Sequence, residues 1–323
     1  LDEGLTKYTP SAGTPELKGA IKEKLKRDNG LDYSVEEICV TCGAKQAIYN
    51  ALQVLVEEGD EVLVPAPYWV SYPEQVKLAG GVPVVVPTDS SSRFKVSPAA
   101  LEKAITPRTR AIIINTPSNP TGSAYRREEL SAIGDLLSRH NVAIISDEIY
   151  EKLVYGDFRH VSMAAACPAA KELTITVNGV SKAYAMTGWR MGYAAGPRHV
   201  ISKMTVILGQ QITGIPGFVQ KACAEALSGP QEEIERMRSE FAARRDLMLE
   251  RLLAIPGLSC HVPEGAFYLL PNVEAFLGRR AGGIELPDAT ALATHLLDEA
   301  HIATVSGDPF GIPGHIRFSY ATS

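Results

Sequence analysis

Residues 111–146 read AIIINTPSNPTGSAYRREELSAIGDLLSRHNVAIIS, and this stretch decides the fold class. Two apolar, β-leaning runs, 111–115 and 142–146, lie on either side of a helical pattern over residues 127–139. Continuous apolar runs are typical of strands that are buried on both faces of a parallel sheet. The stretch therefore predicts one strand, helix and strand unit of an α/β fold.

Outward from this unit, strand-like runs and helical patterns alternate from residue 14 to about residue 210. The other predicted strands cover 37–41, 61–64, 82–86, 173–177 and 191–195, and the other predicted helices start at Pro15 or cover 44–56, 73–78 and 98–105. Thr14 and Ser97 stand where helix N-caps are expected. Together the seven strands predict one large, mostly parallel sheet with helices on both faces.

The pattern changes beyond about Gly214, where a long helix is predicted over residues 230–253. Strand-like pieces follow at 258–261, 266–270, 303–306 and 316–320. We therefore expect a large α/β domain over 14–228, a smaller α+β domain over 229–323 and a separate N-terminal segment over 1–13. A chain of 323 residues is long enough for two such cores.

Composition narrows the classes of function. Apolar residues make up 45% and charged residues 21%, and the net charge of −5 offers no basic field for nucleic acid. No run approaches the roughly 20 apolar residues of a membrane helix, so we expect a cytoplasmic protein without membrane or nucleic-acid partners. The chain opens with Leu1 and ends at Ser323 directly after a strand-like run, so we expect the natural chain to extend at both ends.

The five cysteines are an odd number, spread thinly along the chain, which argues against a disulfide framework. Cys39 and Cys42 form a C-x-x-C pattern, which redox and zinc sites also use. No second pair of ligands follows, and both residues lie in an apolar, β-leaning run. We interpret them as buried thiols of a strand and predict no metal site.

Five loops at predicted strand ends contain polar or aromatic residues that a buried sheet does not need. In open α/β sheets, ligands bind at the carboxyl ends of the strands. The five segments are 41–47 (TCGAKQA), 65–69 (PAPYW), 115–122 (NTPSNPTG), 146–150 (SDEIY) and 181–193 (SKAYAMTGWRMGY). Taken singly, they also fit a tight turn, a packed aromatic, a proline-rich turn, a helix cap and an exposed lysine.

The combination is more specific than any single segment. Lys182 supplies an amine, Asp147 an acid and Trp69 an aromatic plate, while Arg190 and the helix start near Gly43 supply donors for an anion. Asp147 ends a buried strand, where an unpaired carboxylate is costly. This set matches the requirements of pyridoxal phosphate: an amine for a Schiff base, an acid for the pyridine nitrogen and donors for the phosphate.

These segments resemble those of class I aminotransferases, pyridoxal-phosphate-dependent enzymes of fold type I, and are most similar to the bacterial aspartate aminotransferase branch. The most specific part is Ser181-Lys182 with the sequence MTGWR at 186–190. NPTG at 119–122 and DEIY at 147–150 support it, and the likeness continues to IRFSYA at 316–321. The resemblance covers essentially the whole chain.

The resemblance implies a role for each matching residue around the cofactor. Lys182, Asp147 and Tyr150 would be catalytic, with Lys182 forming the Schiff base and moving the proton. The remaining cofactor contacts would be Trp69 stacking on the ring, Asn119 and Tyr150 on the phenolic oxygen, Gly43, Ala44, Ser181 and Arg190 around the phosphate, and Tyr8 reaching the phosphate of a neighbouring subunit. The Tyr8 contact implies a homodimer in which each active site contains residues of both subunits.

The resemblance also implies the substrate contacts. Arg317 matches the arginine that binds the α-carboxylate, and Lys45 matches the residue that meets a distal carboxylate, with Trp69 and Asn119 beside them. We therefore expect ping-pong amino transfer between aspartate and 2-oxoglutarate. Lys45 also fits an exposed, solvated lysine, and Arg317 also fits a structural partner of a local acid. Gly179 departs from the family, where a phosphate-binding serine is common.

Other functions stay open at this point. The same cofactor also serves transferases of aromatic amino acids, alanine or prephenate, and C–S lyases. A regulatory domain that binds the cofactor without turnover would carry a helix-turn-helix and a basic patch, and the visible sequence has neither. An inactive fragment with a structural role is the third alternative.

Overall fold

The computed structural model describes residues 4–322. The helices are α1 (Pro15–Asn29), α2 (Gly43–Leu55), α3 (Ser71–Leu78), α4 (Pro98–Ala104), α5 (Arg127–Arg139), α6 (Met163–Ala166), α7 (Arg198–Gln211), α8 (Gly217–Ser228), α9 (Glu232–Leu253) and α10 (Ala289–Ala300). The strands are β1 (Ile38–Cys42), β2 (Glu61–Pro65), β3 (Val82–Val86), β4 (Thr109–Asn115), β5 (Ala143–Asp147), β6 (Thr174–Gly179), β7 (Met191–Ala195), β8 (Tyr268–Leu269), β9 (Arg279–Ala281), β10 (Ile284–Leu286), β11 (Val305–Ser306) and β12 (Ile316–Ser319).

Seven strands form one sheet in the order β1-β7-β6-β5-β4-β2-β3. The strands from β2 to β6 pair in parallel, whereas β7 runs antiparallel to both β6 and β1. The α/β fold class and the mostly parallel, seven-stranded sheet are therefore confirmed. The register places Asn115 beside Asp147 and Asp147 beside Val177, so the carboxyl ends of β4, β5 and β6 meet at one edge.

The quoted strand β4 shows why its apolar run is continuous. Ile112 and Ile114 pack into a core with Leu130 of α5 on one face of the sheet. Ala111 and Ile113 pack into a second core with α2 and α7 on the opposite face. Because both faces are covered, the four consecutive positions from Ala111 to Ile114 are all apolar. The continuous apolar run therefore indicates a strand of a parallel sheet that is covered on both faces.

The capping residues act as the sequence predicts. The Thr14 side chain accepts a hydrogen bond from the Leu17 backbone N–H at 3.3 Å, and α1 ends at Gly30 in the left-handed region. The Ser97 side chain likewise accepts from Ala100 at the start of α4. Such caps satisfy N–H groups that the helix itself leaves free.

The chain after residue 229 forms α9, α10, a three-stranded sheet in the order β11-β12-β8 and the hairpin β9-β10. The predicted strand over 258–261 is wrong, because only Ser259 makes an isolated bridge there. His261 instead contacts the Ser123 hydroxyl at 2.9 Å and packs edge-on against Phe94, which draws this segment to the loops of the large sheet. The domain boundary at 228/229 stays a prediction.

The two cysteines of the C-x-x-C pattern lie in β1. The prediction of buried strand thiols is confirmed for Cys39 and wrong for Cys42, which ends β1 beside the loop and is partly exposed; both are free thiols. Burial raises the pKa of the Cys39 thiol, which suits an inert packing residue.

No helix between residues 4 and 322 is both long and apolar enough to cross a membrane.

Candidate active site

A cavity of about 350 Å³ opens at the carboxyl edge of the large sheet. The predicted site residues that line it are Ala44, Lys45, Trp69, Asn119, Asp147, Tyr150, Ser181, Lys182, Arg190 and Arg317. They come from strand ends that are far apart in sequence, and Arg317 comes from β12 of the smaller sheet. The fold thus brings together the residues that the loops predict.

Asp147 ends β5 and is buried at the cavity wall. Its carboxylate accepts hydrogen bonds from the Tyr72 hydroxyl at 2.6 Å and from the Ile149 backbone N–H at 3.2 Å. Burial raises the pKa of Asp147 to about 6, although these hydrogen bonds oppose the shift. Within residues 4–322 no cationic side chain forms a salt bridge with it, so a ligand that carries positive charge would complement it.

Lys182 lies three residues beyond the end of β6 and is partly buried. Its Nζ atom is 5.8 Å from the ring centre of Tyr150 and 5.7 Å from that of Phe267. Burial lowers the pKa of the amine, Asp147 opposes this change, and the nearby Arg190 and Arg317 add to it. A larger fraction of neutral amine is then present, which suits nucleophilic and base chemistry.

Arg317 extends from β12 between two aromatic rings. Its guanidinium carbon lies 4.5 Å from the ring centre of Tyr268 and 4.9 Å from that of Phe310. Nη1 donates to the Asn119 side-chain oxygen at 2.8 Å, and the buried Nε has no hydrogen-bond partner among the described residues. A buried donor without an acceptor is costly. The site therefore presents an arginine that an incoming carboxylate would satisfy.

The start of α2 and the Arg190 side chain lie against each other at one end of the cavity. Gly43 has φ +76° there, and a Cβ at this position would lie 2.5 Å from the Arg190 Nη2 atom. Arg190 has φ 54° itself, and its Nη1 donates to the Thr187 carbonyl at 2.8 Å. Free N–H groups at a helix start and a guanidinium are both suited to phosphate. The buried Ser181 lines the same cavity.

Gly179 departs from the family pattern for a steric reason. A Cβ on Gly179 would lie 2.6 Å from the Met191 carbonyl oxygen and 2.8 Å from Gly192 Cα. Both contacts are with the backbone of β7, which cannot yield easily. A serine at this position would therefore require β6 and β7 to separate.

Lys45 and Trp69 lie side by side at the cavity. The Lys45 Nζ atom is 4.7 Å from the ring centre of Trp69. Trp69 also packs edge-on against Tyr72, with ring centres 5.5 Å apart. The exposed Lys45 amine thus sits at the cavity, where an anionic group of a ligand can reach it.

Tyr8 does not join the cavity of its own chain. Its side chain is 94% exposed, and residues 5–9 run beside residues 214–218. Thr9 anchors this segment by donating from its hydroxyl to the Ile215 carbonyl at 3.2 Å. A tyrosine held outward in this way is available to a second chain.

Sequence reasoning missed several residues that line the cavity. These residues are Tyr72, Asn115, Ile149, Thr187 and Tyr268. Tyr72 follows Trp69 by three positions at the start of α3, and Asn115, Ile149 and Thr187 stand within the quoted loops, so a signal existed for them. Tyr268 belongs to a two-residue strand in another segment, and no local pattern predicts it.

The residues present fit pyridoxal phosphate. A phosphate suits the start of α2 and Arg190, a protonated ring nitrogen suits the buried carboxylate of Asp147, and an aldehyde suits the Lys182 amine. The unpartnered Nε of Arg317 adds a place for the carboxylate of an amino acid.

The statistical model of the family described as "Aminotransferase class I and II" matches residues 1–323. Aspartate aminotransferase of Geobacillus stearothermophilus is 51% identical over 323 residues, covering 100% of this chain and 81% of that protein. The aspartate/prephenate aminotransferase of Cereibacter sphaeroides is 49% identical over 325 residues, with coverage of 100% and 81%. The crystal structure of the aspartate aminotransferase from Rhizobium meliloti is similar with a TM-score of 0.96 and 46% identity, covering 100% of this chain and 81% of that one. The chain therefore belongs to the class I and II aminotransferases, enzymes of fold type I that depend on pyridoxal phosphate.

Proposed function

We propose that this aminotransferase moves the amino group of aspartate to 2-oxoglutarate in two half-reactions of a ping-pong cycle. The observation that carries the proposal is a pair of cations, Arg317 and Lys45, that line the same cavity as Lys182. Aspartate and glutamate each bring two carboxylates, which such a pair suits. Relatives at 48–51% identity are named aspartate aminotransferases.

The chain's own groups would carry the proton and hold the charges. When bound, pyridoxal phosphate supplies an electron-withdrawing ring that stabilises negative charge at the substrate Cα. Lys182 would take up the proton from the substrate Cα and later release it, a role that its lowered pKa supports. Asp147 would balance the positive charge of the ring nitrogen, and Tyr150 and Asn119 would donate to the phenolic oxygen.

Two sets of residues would orient the reactants. Arg317 binds the α-carboxylate, since a planar guanidinium offers two parallel donors that a lysine lacks. Lys45 would bind the distal carboxylate, and Trp69 would cover the ring. Gly43, Ala44, Ser181 and Arg190 would hold the phosphate and so fix the cofactor without taking part in proton transfer.

We propose a homodimer in which Tyr8 completes the partner's phosphate site. The outward position of Tyr8 supports this arrangement, because its side chain is 94% exposed while the segment that carries it is anchored to residue 215 through Thr9. We place the reaction in the cytoplasm, where the five free thiols would stay reduced.

Prephenate is a second candidate for the acceptor. The relative from Cereibacter sphaeroides is named an aspartate/prephenate aminotransferase, and prephenate carries two carboxylates as well. The same pair of cations therefore suits it.

Donor specificity tests the proposal. Lys45→Ala should lower kcat/KM for aspartate roughly 10- to 100-fold, the loss expected for one charge-assisted hydrogen bond. Activity with phenylalanine as donor should change little, because that substrate has no distal carboxylate. Lys103→Ala removes an exposed lysine of α4 outside the cavity and is the matched control.

Two results would contradict the proposal. Equal losses with aspartate and phenylalanine in Lys45→Ala would remove the distal-carboxylate role. If the protein loaded with pyridoxal phosphate showed no change in absorbance with aspartate or glutamate, the amino-transfer reaction itself would be wrong. Comparing 2-oxoglutarate with prephenate as acceptor then separates the two candidates.

A further inference from the structure

We propose that Tyr268 is a positioning residue that directs the hydroxyl proton of Tyr150 into the cavity and steadies Arg317. The inference rests on the proposed function, in which Tyr150 donates to the cofactor and Arg317 binds the substrate. Tyr268 would then connect the two ends of the site through one side chain.

The first part of the argument is the hydrogen bond between the two phenols. The hydroxyl oxygens of Tyr150 and Tyr268 lie 2.9 Å apart, and both side chains are buried. Burial raises the pKa of each phenol, so both keep their proton at neutral pH. Among the described residues, no other group hydrogen-bonds to the Tyr268 hydroxyl.

The single proton of a phenol decides the direction of that hydrogen bond. A tyrosine hydroxyl donates once and accepts through its oxygen lone pairs. Tyr150 can donate into the cavity only if it does not give its proton to Tyr268. It must then accept from Tyr268, which has its own proton to give. The pair therefore acts as a donor and acceptor chain that ends in the cavity.

The second part of the argument is the position of the Tyr268 ring. Tyr268 pairs with Ser319 between β8 and β12, and Arg317 stands two residues before Ser319 on the same face of β12. The Arg317 guanidinium accordingly lies over the Tyr268 ring, 4.5 Å from its centre. A cation over an aromatic face is attracted to it and loses freedom to rotate. The ring thus limits where the guanidinium can point.

Two substitutions separate the two contributions. Tyr268→Phe keeps the ring and removes the hydroxyl, whereas Tyr268→Leu removes both. Tyr150→Phe and the double variant with Tyr268→Phe show whether the Tyr268 hydroxyl acts through Tyr150. Tyr155→Phe removes another buried hydroxyl, which donates to the Ala266 carbonyl outside the cavity, and serves as the control.

The readouts are the pH at which the absorbance of bound pyridoxal phosphate changes and the Kd for succinate, a dicarboxylate that cannot donate an amino group. A donor to the phenolic oxygen favours loss of the proton that this oxygen shares, so losing the donor raises the pH of the transition. Tyr150→Phe loses that donor and should raise the pH of the transition by about 0.3 to 1 unit, since one neutral hydrogen bond is worth roughly a two- to tenfold change. Tyr268→Phe keeps the Tyr150 donor but no longer orients its proton, so it should raise the pH of the transition by a smaller, measurable amount. Its Kd for succinate should stay within about twofold.

Tyr268→Leu should show the same shift and also weaken succinate binding about three- to tenfold, the size of a partly buried cation–π contact. The double variant should match Tyr150→Phe alone. An unchanged pH transition in Tyr268→Phe, with a clear shift in Tyr150→Phe, would overturn the positioning role. A shift in the double variant beyond that of Tyr150→Phe would overturn action through Tyr150, and unweakened succinate binding in Tyr268→Leu would overturn the role toward Arg317. If the wild-type protein bound no pyridoxal phosphate, the proposed function would fail instead.

Discussion

At the residue scale, the buried carboxylate of Asp147 lowers the stability of the cofactor-free protein while serving the proposed function. Its pKa is about 6 in the folded chain against an ordinary value of 3.8, because burial disfavours the carboxylate. The folded state therefore holds this proton more tightly than the unfolded state. As the pH rises from about 4 to about 6, the cofactor-free protein loses stability through this group, by up to about 3 kcal/mol.

Asp147→Asn should remove that loss, because an amide does not titrate in this range. Relative to wild type, the cofactor-free variant should gain roughly 1–3 kcal/mol of unfolding free energy between about pH 4.5 and pH 7.5. Urea unfolding of both proteins at the two pH values measures the difference. Asp157→Asn, on an exposed loop, controls for the loss of one carboxylate. A difference that does not depend on pH would show that Asp147 is not destabilised by its charge.

At the element scale, the start of α2 packs so closely against Arg190 that only a glycine fits at position 43. Gly43→Ala should force a left-handed residue to carry a Cβ and push that Cβ against the Arg190 guanidinium. Gly30→Ala shares the positive φ at the end of α1, but nothing lies within 4 Å of its Cβ. Both variants should lose about 1 kcal/mol of stability, and only Gly43→Ala should bind pyridoxal phosphate more weakly, by about tenfold or more. Equal affinities of the two variants in a cofactor titration would exclude this role of the α2 start.

The sequence predicts a strand or helix correctly where burial or β-propensity alone determines the local structure. The inner sheet strands follow from burial on both faces, so the bounds of β7 at residues 191–195 match the prediction. The partly exposed edge strand β3 also matches, at residues 82–86, because it is rich in β-branched valine. The strand over 258–261 failed because His261 binds a distant loop, and the hairpin β9-β10 was missed because its short, exposed strands have no apolar run. The strand-end loops could be predicted as a site because parallel strands place their carboxyl ends at the same edge of the sheet. The role of Tyr268 could not be predicted, since it depends on two side chains, Tyr150 and Arg317, that only tertiary packing brings near it.

At the scale of the whole molecule, the proposed dimer makes a prediction that one chain alone cannot meet. Lys182→Ala removes the reacting amine, and Tyr8→Ala removes the proposed partner contact, so each pure dimer should be weakly active or inactive. In a mixed dimer, the site with intact Lys182 receives intact Tyr8 from the other chain. Random pairing of equal amounts makes about half of the dimers mixed, each with one complete site, so activity should recover to about a quarter of wild type. Mixing after mild unfolding and refolding, followed by assay with aspartate, measures this recovery. If an affinity tag on one variant co-purified the other, so that mixed dimers had formed, and activity still did not recover, Tyr8 would act in the site of its own chain or in none.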